Sequence, residues 1–217
     1  MGTVSTEDYI KHIEKLHAGG GSVSTSSLAT SLGVADASVT EMVKRLAERG
    51  LVRYRPYRGV SLTEEGRLMA MRTLRRHRLW EMYLVRHLGF SWDAIHDEAE
   101  RLEHVTSEAL EEALDRALGY PTVDPHGDPI PTTAGELRPR STIPLSAASP
   151  GATVRVLRVT DGDPSLLQHV ARLGLALNAR PTVKERLPFD GSIRVTVKGK
   201  PQFVSEKLAG CIFVEPT

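Results

Sequence analysis

Ala37-Ser38-Val39-Thr40-Glu41-Met42-Val43-Lys44-Arg45-Leu46 places Val39, Met42, Val43 and Leu46 at i, i+3, i+4 and i+7, the spacing that lines one face of an α-helix. Ala37, Ser38, Thr40, Glu41, Lys44 and Arg45 fall on the opposite side. Asp36 offers an N-cap and Gly50 a stop just beyond the end. Upstream, Ser24 can cap a shorter helix carrying Leu28, Ala29 and Leu32, and Gly33-Val34-Ala35 joins the two as a helix-turn-helix. Residues 5–17 read as a preceding helix with Tyr9, Ile10, Ile13 and Leu16 on its apolar side. A Ser5-x-x-Asp8 capping pattern opens it and Gly19-Gly20-Gly21 stops it. Downstream, residues 51–54 and 60–62 are strand-like around the turn 55–59, which makes a β-hairpin wing.

This arrangement fits double-stranded DNA. Small hydroxyl residues near the start of the second helix allow close approach to base edges, and Lys44 and Arg45 can neutralise phosphates. In the wing, Arg53, Arg55 and Arg58 flank Tyr54 and Tyr57, which suits contacts in an adjacent groove. The net charge of +1 conceals a division: residues 1–78 carry 13 Lys/Arg against 8 Asp/Glu, whereas residues 79–120 carry 3 against 10. A basic front suits a polyanion and an acidic middle suits a cation.

After a long helix running from Thr63 to about His87, the acidic stretch contains Ile95-His96-Asp97-Glu98-Ala99-Glu100-Arg101-Leu102-Glu103-His104, with Ser91 as its expected helix start. Helical periodicity brings His96, Glu100, Glu103 and His104 into one arc about 100° wide. Two imidazoles and two carboxylates on one face are costly unless a cation or hydrogen-bond partners compensate them. His77 and Glu81 repeat the four-residue spacing on the earlier helix. Each also has a plain alternative: Asp8 as the third helical residue of a capping box, His77 as a surface residue among arginines. The donors are oxygen and nitrogen without sulfur, which favours Mn2+ or Fe2+; Co2+ and Zn2+ are not excluded by geometry.

A further helix starts at Thr106 or Ser107 and ends at Gly119. Residues 121–150 hold 7 of the 13 prolines without periodicity and read as a tether. Beyond it come short strands at 153–159, 182–187, 192–197, 202–204 and 211–215, with one helix near 165–173, a pattern that fits a small SH3-like β-barrel. The fold class is therefore mainly α with a small all-β domain. A winged helix-turn-helix occupies residues 1–73, a helical dimerisation and metal-binding domain 74–140, and the barrel 148–217. No apolar run is long enough for a membrane span, and no secretory pattern opens the chain. A single cysteine, Cys211, excludes an internal disulfide and points to the cytoplasm.

The whole chain resembles the diphtheria-toxin-repressor family of metal-dependent regulators. The resemblance rests on Arg76-His77-Arg78-Leu79 with Glu81, on His96-Asp97-Glu98-Ala99-Glu100 with Glu103-His104, and on Pro125-His126-Gly127-Asp128-Pro129-Ile130-Pro131. Ser38-Val39-Thr40-Glu41-Met42-Val43 is similar to the recognition helix of the manganese-sensing branch. The resemblance implies a primary metal site of Asp8, Glu100, Glu103 and His104. It implies an ancillary site of His77, Glu81 and His96, to which the third domain would lend Asp163 and Gln168. Oxygen at positions 8 and 100 matches the manganese-sensing branch, whereas Lys11 stands where short manganese sensors use a carboxylate.

It also implies a homodimer that binds operator DNA when loaded with metal and controls metal-uptake genes, with no small-molecule substrate. Without metal, Glu100 and Glu103 would repel Asp8 and free the first helix to reorient. An iron-responsive regulator of the same family is the alternative. A dinuclear hydrolase would need a nucleophile or base and a substrate pocket, and the sequence offers no Ser/His/Asp set and no phosphate loop.

Overall fold

The protein is described by a computed structural model that covers residues 5–17, 21–138, 140–160 and 162–217. Two compact units divide it: residues 1–77, 103–106 and 131–137 form one, and residues 78–102, 107–130 and 138–217 the other. Among the described residues no helix is long and apolar enough to cross a membrane.

In the first unit, α1 (Thr6–His17), α2 (Thr25–Leu32) and α3 (Asp36–Glu48) pack their apolar faces together, followed by the hairpin of β1 (Val52–Arg55) and β2 (Gly59–Leu62). Ile10, Ile13, Leu28, Val39, Val43, Leu46 and Val60 are completely buried, the inward set that the 3.6-residue spacing predicts. Ser24 accepts from Ser27 N at the start of α2, and Gly33 ends that helix in the left-handed conformation. The start of α3 differs from expectation. Ala35 holds the cap position without a side-chain bond, and Asp36 is the first helical residue, where its charge still favours the helix N-terminus. Val23 pairs with Val60 and so adds a bridge to the wing. That bridge explains Gly59: a Cβ there would lie 2.5 Å from the Val23 carbonyl oxygen. Thr63 accepts from Gly66 N and opens α4 (Glu64–Leu88), whose first fourteen residues belong to this unit.

The second unit begins with the rest of α4 and continues through α5 (His96–Glu103) as far as Leu102, then α6 (Glu108–Ala117). The metal-face helix thus starts at His96 rather than Ser91. Residues 91–95 form a turn that buries Ile95 beside Leu84 and Ala99. Ser107 caps α6 through Leu110 N.

The stretch 121–130 is not a loose tether. Asp124, His126, Gly127 and Ile130 are buried, Val123 bridges Pro129, and Val159 donates to the His126 carbonyl. Prolines removed periodicity from this segment but not its packing. β3 (Ile143–Pro144) and a short 3-10 turn follow, then β4 (Val154–Val159), α7 (Pro164–Arg172), β5 (Thr182–Arg186), β6 (Ile193–Val197), β7 (Lys200–Val204), α8 (Glu206–Gly210) and β8 (Ile212–Pro216). Two antiparallel three-stranded sheets, ordered β3-β8-β4 and β5-β6-β7, share one core of alternating inward residues such as Val154, Val156, Val195 and Val214.

Gly127 has φ +93°, and a Cβ on it would stand 1.9 Å from the Leu157 carbonyl oxygen. Gly127→Ala is therefore expected to destabilise the second unit by at least about 1–3 kcal/mol from backbone strain alone. A chemical-denaturation midpoint that does not move would show that the 121–130 segment does not need this approach.

Candidate metal centre

The Ser5/Asp8 capping pattern closes in both directions: Asp8 N donates to Ser5 Oγ at 3.1 Å and Ser5 N donates to Asp8 Oδ2 at 2.7 Å. One carboxylate oxygen of Asp8 is thus fixed by the helix start. The other, Oδ1, lies 2.8 Å from His104 Nε2 without the alignment of a hydrogen bond. Capping residue and candidate ligand are the same side chain, each role using a different oxygen.

Glu103 is fully buried at the last position of α5, and His104 follows it directly in a turn. Lys11 Nζ donates to Glu103 Oε1 at 2.6 Å, His77 Nδ1 makes a short contact with Oε2, and His104 Nε2 is 3.6 Å from Oε1. His104 Nδ1 sits 2.6 Å from Glu7 Oε2. Burial alone would lower the pKa of His104. The bond to Glu7 and the charges of Asp8 and Glu103 outweigh it and raise the imidazole above its ordinary value. Asp8, Glu103 and His104 offer ligand atoms within 4.8 Å of one another. Glu100 lies three residues before Glu103 on the same face of α5.

Both carboxylates have partners within the cluster. Asp8 has His104 beside it, and Glu103 has both Lys11 and His77. The cluster is paired internally because burying Glu103 without a counter-charge would cost several kcal/mol, on the order of 3–5 by analogy with broken buried pairs.

The second unit contains a group that periodicity could not find. Glu81, Asp124 and His126 are buried and offer ligand atoms within 4.8 Å of one another. His126 Nε2 donates to the Trp92 carbonyl at 2.8 Å while its ring stacks on the Trp92 indole. A carbonyl only accepts, so Nε2 carries a proton; Nδ1 faces the cluster, 3.9 Å from Glu81 Oε2 and without a hydrogen-bond partner. Asp124 Oδ1 accepts from His126 N and Asp128 N, and Oδ2 lies 3.4 Å from Arg78 Nε. Burial, then the charges of Glu81 and Asp128, push the Asp124 carboxyl up to about 7 against the pull of Arg78 and His126. The only sequence signal for Asp124 and His126 was the Pro125-His126-Gly127-Asp128 run, because ligands on a loop carry no period.

Of the residues expected at an ancillary site, His96 Nδ1 approaches Glu81 Oε1 at 3.7 Å, and His77 Nδ1 meets Glu103 Oε2. Asp163 caps α7 by accepting from Ser165 N and Oγ, bonds that lower its pKa, and it belongs to none of the ligand groups among the described residues. Gln168 donates to Asp93 Oδ2 at 2.8 Å.

On the DNA-binding side, Ala37, Ser38, Glu41, Lys44 and Arg45 are exposed on α3, with Arg45 ion-paired to Glu41. Thr40 is half-buried and donates its hydroxyl to the Asp36 carbonyl. Arg55, Tyr57 and Arg58 are exposed on the wing, with Tyr57 at its tip in the left-handed conformation.

A recognition helix with a basic wing, joined in one unit to a His/carboxylate cluster, defines a metal-dependent DNA-binding regulator rather than an enzyme. Comparison with known proteins agrees. Residues 1–60 match the iron-dependent repressor N-terminal DNA-binding domain, residues 63–132 its metal-binding and dimerisation domain, and residues 143–216 the FeoA domain. The iron-dependent repressor IdeR of Mycobacterium tuberculosis is 34% identical over 208 residues, covering 90% of this chain and 89% of that protein. A solved manganese-dependent transcriptional repressor in complex with manganese is 39% identical, covers 98% of this chain and 100% of its own, and superposes with a TM-score of 0.89. The manganese regulator SloR is 32% identical over the full length of both chains, with a TM-score of 0.78. The chain belongs to the diphtheria-toxin-repressor family of metal-dependent transcriptional repressors.

Ser5→Ala removes the Oγ that accepts from Asp8 N and leaves both carboxylate oxygens of Asp8 in place. Losing half of the capping box is expected to lower stability by about 0.5–2 kcal/mol, read in urea denaturation. Metal-dependent DNA binding should survive; its loss would mean that the cap, and not the free oxygen of Asp8, carries the response.

Proposed function

We propose that this protein is a manganese-responsive, homodimeric repressor that binds operator DNA when loaded with divalent metal. The observation that carries the reading is Asp8 Oδ1, a ligand-type atom on the first helix of the DNA-binding segment, set 2.8 Å from His104 Nε2 and beside the buried Glu103. Glu100 completes an oxygen-rich primary set with one imidazole and no sulfur, a donor set suited to Mn2+ and Fe2+. Glu81, Asp124, His126 and His96 supply a second set, in which a cation would offset the buried negative charge that raises Asp124. The three-part division at residues 1–73, 74–140 and 148–217 is supported by the segments matched to each family domain.

A bound divalent ion supplies positive charge and directional coordination at the primary set. Asp8, Glu103 and His104 then hold the start of α1 through ligand bonds rather than through pairing with one another. Because Ser5 fixes the other oxygen of Asp8, the constraint passes directly to the helix backbone. Orientation of α3 and of its counterpart in a second subunit sets the spacing of two recognition helices on successive turns of DNA. Exposed Leu88, Phe90 and Leu110 in the second unit provide apolar surface for the isologous contact. Metal and operator must strengthen each other's binding by the same factor, typically about 5–150-fold for an allosteric coupling.

An iron-responsive reading is favoured by the names of the mycobacterial relatives, and one titration separates the two. Operator binding should be activated by Mn2+ at free concentrations where Fe2+, held anaerobically, does not act; activation by Fe2+ alone would transfer the reading to iron. Asp8→Ala is expected to abolish the metal response with the fold retained, and an unchanged metal-dependent affinity would overturn the primary set. Lys44→Ala and Arg58→Ala should weaken binding to all sequences and reduce the slope of log K against log salt by about 1 each. Loss confined to one sequence would mean base readout instead.

A further inference from the structure

Lys11 stands one turn after Asp8 on α1, and its ammonium occupies Glu103 Oε1 at 2.6 Å. The pair is screened from water: the Lys11 side chain is 12% exposed and that of Glu103 is 0% exposed. His77 holds the other oxygen, and His104 Nε2 lies 3.6 Å from the one that Lys11 takes. Three cationic or N–H groups therefore converge on one buried carboxylate. A divalent ion entering beside Asp8, Glu103 and His104 would meet a unit positive charge already seated on its carboxylate, at a separation where two cations in a low-dielectric site repel strongly.

We propose that Lys11 is a tethered competitor for the primary site. It neutralises Glu103 while the metal is absent, yields Oε1 when a divalent ion binds, and thereby sets the metal concentration at which the repressor responds. The side chain suits this role. Its flexible four-carbon stem can carry the ammonium from a part-buried seat into water, which a rigid guanidinium fork or a fixed carboxylate cannot do as readily. The inference rests on the metal-binding reading of Asp8, Glu103 and His104 given above.

The test measures binding itself and the metal-free protein, not only DNA binding. Equilibrium dialysis with Mn2+ should show Lys11→Met binding at least tenfold more tightly than the unchanged chain, with no gain in the number of ions bound. Lys11→Arg, whose guanidinium leaves the seat less readily, should bind Mn2+ no more tightly than the unchanged chain. In metal-free protein, Lys11→Met should unfold at lower urea than Lys11→Arg, since it leaves Glu103 without its cation. Affinity that is unchanged or weaker in Lys11→Met, alongside reduced metal-free stability, would make the ion pair purely structural and overturn the proposal.

Should Lys11→Met fail to fold, the unchanged protein still decides. The Lys11 ammonium signal in 15N-detected NMR should be protected without metal and lost on adding Zn2+, whereas persistence at saturation would overturn the competition. Failure of the underlying reading has a different signature: Asp8→Ala would bind Mn2+ as the unchanged chain does, whatever Lys11 does.

Discussion

Glu103 carries a full carboxylate charge into the interior of the DNA-binding unit, where no water reaches it. Such a charge is tolerated only when cations or hydrogen-bond donors meet both oxygens. Lys11 comes from α1, His77 from α4 and His104 from the residue next in sequence, so the need to neutralise one group draws separate segments of the first unit together. The same need would make the proposed site responsive to a divalent ion. On the proposed reading, a site that is already paired exchanges one set of counter-charges for another, and regulation would be a difference between two compensated states.

The N-terminal elements were legible because local rules and tertiary packing agree there. The inward residues of α3, the Ser24 cap and the reciprocal Ser5/Asp8 cap all follow from spacing and side-chain chemistry. The strands of the C-terminal domain were legible from alternation, whereas α8 and β3 are too short to present a period. The stretch 121–130 misled for a physical reason: proline removes backbone donors and helical register, yet Gly127 allows the chain to lie against Leu157 and bury itself. Asp124 and His126 were hidden for the same reason.

At the metal cluster, the sequence placed the helical ligands on one face but could not choose among their partners. Asp8 could be a cap or a ligand, and in the structure its two oxygens separate these uses. His77 was grouped with Glu81 by helical spacing, and its Nδ1 also meets Glu103, a contact that spacing did not show. Lys11 was visible only as a departure from the short manganese sensors. That its ammonium is seated on a proposed ligand is a long-range fact, joining residues 92 apart.

The shared use of Asp8 constrains how this protein can change. Replacing the carboxylate by a softer donor to retune metal preference would also remove the acceptor that receives the Ser5 amide, and the first turn of α1 would begin to fray. If Asp8 serves as the proposed ligand, drift at this position toward another metal has to be accompanied by a new helix start within the same few residues, and metal selectivity and the stability of the leading helix become a single inherited trait.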